Sequence, residues 1–163
     1  MRTGVVVALV IALYSTANAE PFLSPGVSVA FGSRGWSFGV EVSAGFFSDV
    51  PIVPGVVGGF EISPFAKAGQ PWGRLYGEIE LVSLVGVAGG PNLLFGDSSE
   101  VSWQVTTFVV VPTEIDDDSG SPRTCVTPVI VPYYRFTHSS ETSGFHDAGV
   151  FGKLVMSPVR WSC

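Results

Sequence analysis

The run Tyr134-Arg135-Phe136-Thr137-His138-Ser139-Ser140-Glu141 puts an imidazole, hydroxyls and a carboxylate within a few residues of one another. An imidazole that takes a hydroxyl proton while an acid orients it makes a nucleophile, so His138 and Ser140 are the candidate base and nucleophile. The default for the same residue types is a polar loop, and no catalytic assignment is made. His138 and His146 could ligate a metal with Glu141 or Asp147, but these positions lack the fixed spacing of a zinc site, so no metal site is assigned. Asp116-Asp117-Asp118 lacks the Gly and the downstream Glu of a calcium loop and reads as a solvated acidic loop. The glycines alternate within apolar segments instead of opening a helix, which leaves no phosphate-binding loop, and no cofactor is expected.

A second set of chemical groups is scattered: Glu41, Glu61, Arg74, Glu78, Glu80, Arg135 and Lys153. The segments that carry them explain their placement. From Trp36 the even positions read Trp36, Phe38, Val40, Val42, Ala44 and Phe46, and the odd ones Ser37, Gly39, Glu41, Ser43 and Gly45. That is period two, the mark of a strand with two different faces. The same habit recurs over 27–31, 56–62, 75–81, 85–95, 101–111, 126–136 and 148–156, giving eight candidate strands. Turn-rich stretches separate most of them: Ser33-Arg34-Gly35, the Pro51 and Pro54 loop, 69–73, 97–100, the acidic loop and 139–146. The break near Ser83 to Val85 lacks a Gly-Asn or Asp-Gly signal, and fusing segments four and five would leave an odd count. Pro128 and Pro132 lie inside the seventh segment, where each removes a ladder donor.

The polarity of the two faces decides the class. A soluble barrel hides its apolar face and turns charges to water, whereas a membrane barrel turns apolar residues to lipid and polar groups to the lumen. The apolar faces of the eight segments hold no Asp, Glu, Lys or Arg; the seven charged residues above all fall on the opposite faces, among Gly, Ser, Ala and Thr. An eight-strand barrel has an interior just wide enough for side chains, so these charges are expected to pair and fill it. The chain is 13% charged with 46% hydrophobic residues, while ordinary soluble domains carry about 25% charged residues. Its net charge of −6 and only eight Lys and Arg argue against nucleic acid as a partner. Lipid of the outer membrane is the expected surrounding, with the chain as a monomer.

Residues 1–19 have the form of a cleaved signal peptide: Arg2, an apolar run from Val5 to Leu13, and Ala17-Asn18-Ala19 before the cut. The domain then occupies 20–163. Export exposes Cys125 and Cys163, the only two cysteines, to an oxidising compartment. If the seventh and eighth segments form a hairpin, both reach the same mouth, and a disulfide between them is expected.

The leader, the eight alternating segments, Gly35-Trp36-Ser37-Phe38-Gly39-Val40-Glu41, Gly89-Gly90-Pro91, Pro132-Tyr133-Tyr134-Arg135 and Gly149-Val150-Phe151-Gly152-Lys153 resemble small bacterial outer-membrane β-barrels, in particular uncharacterised ones of myxobacterial type. The resemblance implies an all-β, antiparallel up-and-down transmembrane barrel with a structural or interaction role. It departs at the end, where such barrels usually finish on Phe or Trp and this chain ends Arg160-Trp161-Ser162-Cys163. The Arg135-Phe136-x-His138-x-Ser140 run is also similar to outer-membrane lipid A deacylases, whose His and Ser map to His138 and Ser140. The Asn-Ala-Gly stretch and later Glu of that family are missing. A secreted lipocalin-like barrel with an apolar pocket is the remaining alternative.

Overall fold

The computed structural model describes residues 20–47, 52–66, 70–96, 99–113, 125–139 and 144–157. The strands are β1 (Glu20–Gly32), β2 (Gly35–Phe47), β3 (Val53–Ala66), β4 (Trp72–Val82), β5 (Val85–Phe95), β6 (Glu100–Val109), β7 (Val111–Pro112), β8 (Cys125–His138) and β9 (Phe145–Ser157). Each pairs antiparallel with its neighbours, and the pairings of β1 with β9 and of β6 with β8 close the sheet into a barrel. Closure leaves no strand edge without a partner.

β6 and β7 form one stave, because both keep a single register against β8: Phe108 faces Tyr133 and Val111 faces Ile130. The wall therefore has eight staves. The interruption between β6 and β7 falls opposite Val131 and Pro132. Proline has no N–H to give the ladder at that point. The Val110 N–H continues the register of β6 with β5, donating to the Leu84 carbonyl at 3.0 Å. Pro128 is accommodated through its carbonyl, which accepts from the Thr113 N–H at 3.2 Å and from Thr113 Oγ1 at 2.6 Å. The two prolines thus sit inside a strand of a closed barrel, at the cost of one break in the neighbouring stave. Segments four and five are separate strands joined by a tight turn at Ser83 and Leu84.

Short connections at one end join β1 to β2, β3 to β4, β5 to β6 and β8 to β9; this end is the turn mouth. The opposite end, with Glu20 and Ser157, is the terminal mouth. At the turn mouth Gly35 holds φ at 107°, a left-handed conformation that glycine adopts without the clash a Cβ brings.

The wall is apolar outside. Val42, Ile79 and Val105 are 48%, 69% and 52% exposed, and no exposed strand residue among those described is Asp, Glu, Lys or Arg. The interior holds the charges, together with large residues that a lumen of small side chains does not foresee. Phe108, Val129, Val131, Tyr133 and Phe151 pack with Ala30 and Ala88 in one buried cluster. The reason is volume: glycine, alanine and serine do not fill an eight-strand barrel, so bulky inward residues complete it.

Candidate functional site

Two groups of charge lie inside the barrel. The first is near the turn mouth and begins with the β3–β4 hairpin, whose register sets Glu61 directly opposite Arg74. Arg74 donates Nε to Glu61 at 3.0 Å and Nη2 to both Glu61 oxygens at 2.8 Å, a forked pairing. Its Nη2 also reaches Asp147 of β9 at 2.9 Å, and its Nη1 Thr137 of β8 at 3.4 Å. Arg135 adds Nη1 to the same Glu61 oxygen at 2.9 Å, and Ser37 donates a further hydrogen bond to Glu61. Both guanidinium groups are fully buried. Two acids and two bases therefore balance, as buried ions require.

Above this group, Arg34 of the β1–β2 turn lies 4.0 Å from the Phe145 ring centre and 5.8 Å from that of Trp72, whose ring meets Phe145 edge-on at 6.1 Å. Arg74 lies 5.5 Å from the Trp72 ring, so the aromatic pair joins the turn to the ion pairs. Burial against these rings lowers the Arg34 pKa from its ordinary value, an effect opposed by the charge of Glu100.

The second group lies deeper. Tyr76 crosses β3 at Gly59 and donates to Glu41 of β2 at 2.8 Å. A Cβ at Gly59 would stand 2.3 Å from the Tyr76 hydroxyl, so only glycine leaves room for this crossing. Lys153 pairs with Glu41 and donates to Ser43 at 3.0 Å. Glu78 accepts from Thr106 Oγ1 at 2.8 Å, and Thr106 in turn accepts from Arg135 Nε at 3.1 Å, which links the two groups. Here three carboxylates, Glu41, Glu78 and Glu80, face one ammonium. They border a cavity of about 10 Å³, room for roughly one water. Arg135 lines the same cavity, and its Nη2 has no hydrogen-bond partner among the described residues.

All seven scattered charges thus have buried or partly buried side chains on the inner face. Asp147, which falls between the turn stretch 139–146 and the segment 148–156 in the sequence, is the third residue of β9, facing inward. Its parity with Gly149, Phe151 and Lys153 is the signal that places it there. Nothing local marks Tyr76 or Thr106 as their partners. His138 ends β8 on the outer face and Ser140 lies outside the described residues, as do Glu141 and Asp116 to Asp118. His146 faces outward and Asp147 inward, so these two do not converge on a metal. The leader, the Cys125 side chain and all of Cys163 lie outside the described residues as well.

No protein-family model and no curated protein matches this sequence. In three dimensions the chain is similar to the crystal structure of Neisserial surface protein A, with a TM-score of 0.61 over 83% of this chain and 96% of that one, at 11% identity. That protein is an outer-membrane barrel, and at this identity the likeness is one of fold. The chain is a closed, antiparallel, eight-strand β-barrel.

Proposed function

We propose that this chain is a small outer-membrane β-barrel with a structural or interaction role, its lumen filled by ion pairs and packed side chains. One observation carries the reading: the polarity of the wall is reversed, with large apolar residues exposed over every stave and the charges buried. A wall of that kind is solvated by hydrocarbon and not by water. The fold shared with an outer-membrane barrel supports the same location, and the leader-like residues 1–19 support export by a cleaved signal peptide. The resemblance of its short motifs to myxobacterial barrels supports a bacterial one of that type. Its partner in this reading is lipid, and the barrel acts as a monomer. Cys125 and Cys163 are read as a disulfide at the terminal mouth.

The interior does not favour a lipocalin-like role. Its cavity has room for about one water and is bordered by three glutamates, an unsuitable lining for an apolar ligand. The test is electrophoresis of the membrane fraction in mild detergent. A folded barrel migrates differently before and after heating and needs detergent for extraction; recovery in the aqueous fraction overturns the reading. In planar bilayers the filled lumen should give no steady ion conductance, and a stable open current would refute the closed interior.

A further inference from the structure

We propose that the cavity of the deeper charge group is the site of one resident water, held by Arg135, Glu78 and Glu80. The inference rests on the filled-lumen reading above and names what completes the filling. Arg74 and Arg135 are both fully buried and can be compared atom by atom. In a guanidinium, Nε–H and one Nη2–H run side by side along one edge of a rigid plane. Arg74 sets this edge on a carboxylate, so that Nε and Nη2 both reach Glu61, at 3.0 and 2.8 Å. Arg135 sets the same edge on Thr106, whose single hydroxyl takes Nε at 3.1 Å and leaves Nη2 without a partner among the described residues. The guanidinium is held in that pose: Nη1 donates to Glu61 at 2.9 Å, and the ring centres of Tyr76 and Tyr133 each lie 4.8 Å from Cζ. A buried N–H so placed is costly unless something accepts from it.

The surroundings define the acceptor. Nη2 points to the side of Thr106, and Thr106 and Glu78, joined at 2.8 Å, both border the cavity. Glu80 borders it too, and among the described residues no base pairs with Glu78 or Glu80. A metal cation in the cavity would face Arg135 and Lys153, and an anion would face three carboxylates. A neutral molecule that accepts one hydrogen bond and donates two meets both demands. It accepts from Arg135 Nη2 and donates to Glu78 and Glu80, and about three hydrogen bonds is the usual number for a buried water. The volume of about 10 Å³ admits one molecule of that size and nothing larger. Such a water joins the two charge groups a second time, beside Thr106, and gives the glutamates donors without adding charge.

A high-resolution crystal structure of the refolded barrel tests this. One oxygen is expected within hydrogen-bond distance of Arg135 Nη2, Glu78 and Glu80. Oxygen-17 relaxation of the solvent gives an independent reading, because it detects waters held inside a protein and is blind to exchanging hydroxyl protons. Ala88 borders the cavity, so the larger side chain of Ala88→Leu should displace the water, and the signal should fall by the contribution of one water. Heat-modifiable migration verifies that the variant folds, and the crystallographic arm needs no variant and decides the matter where it does not. A cavity without density, a cation bound directly by the glutamates, or an unchanged signal in folded Ala88→Leu overturns the water site while leaving the closed lumen intact. A stable open current in planar bilayers overturns the closed lumen and the site with it.

Discussion

Near the turn mouth, Glu61, Asp147, Arg74 and Arg135 are matched in number and tied by charge-assisted hydrogen bonds; deeper in the lumen, Glu41, Glu78 and Glu80 surround Lys153 and a small cavity. Both groups are screened from water by the same wall, yet only in the first do acids and bases balance in number. The difference shows two ways of filling a narrow lumen with polar residues. One is a closed network, in which every ion has a counter-ion and removal of any member strands another. The other is a loose cluster with acid in excess, in which the consequence of a substitution depends on the sign of the charge removed. Arg135 belongs to both, through Glu61 on one side and Thr106 on the other.

The contrast should appear in stability measured by urea unfolding in lipid or detergent. Glu61→Gln leaves two guanidinium groups without their shared carboxylate and should cost about 3–5 kcal/mol, the usual penalty for breaking a buried pair from one side. A loss under about 1 kcal/mol would mean that water reaches this group and would erase the distinction. An unpartnered charge on the outer wall calibrates the scale. Val42→Arg should cost about 2–4 kcal/mol if Val42 meets the middle of the bilayer, and a harmless outcome would contradict an apolar surrounding.

Lys153→Met should cost about 1–3 kcal/mol, less than the loss of Glu61, because the ammonium is partly exposed although it is, with Arg135, one of the two bases bordering the three carboxylates. The smallest effect separates the groups best. Glu80→Gln should change stability by less than about 1 kcal/mol, in the stabilising direction, since it relieves like-charge repulsion. A loss comparable with that of Glu61→Gln would show that the deeper group is as tightly satisfied as the first.

Much of this was legible along the chain. The alternation from Trp36 to Phe46 is visible without a partner strand, because successive side chains of a strand point to opposite sides whatever lies beside them. The parity that gathers Glu41, Glu61, Arg74, Glu78 and Glu80 against Val42, Ile62 and Ile79 is visible for the same reason. The edges were less clear. Asp147 falls between the turn stretch that ends at His146 and the alternation that starts at Ala148, one residue short of where its parity shows. Pro128 and Pro132 argued against a closed wall, and only the pairing of β8 shows that a break in the opposite stave absorbs the missing donor.

The amino-acid sequence by itself determined the class of fold, the two faces of each strand and the sign of polarity that turns the apolar face outward, since all three follow from the order of residues within single strands. Which charges meet was decided only in three dimensions. Glu61 and Arg74 are neighbours across one hairpin, but Arg135 reaches Glu61 from 74 residues away and Arg74 reaches Asp147 from 73. Those contacts run across the lumen and exist only once β1 joins β9 and β6 joins β8, because closure and stagger of the staves set which inward side chains stand at the same height.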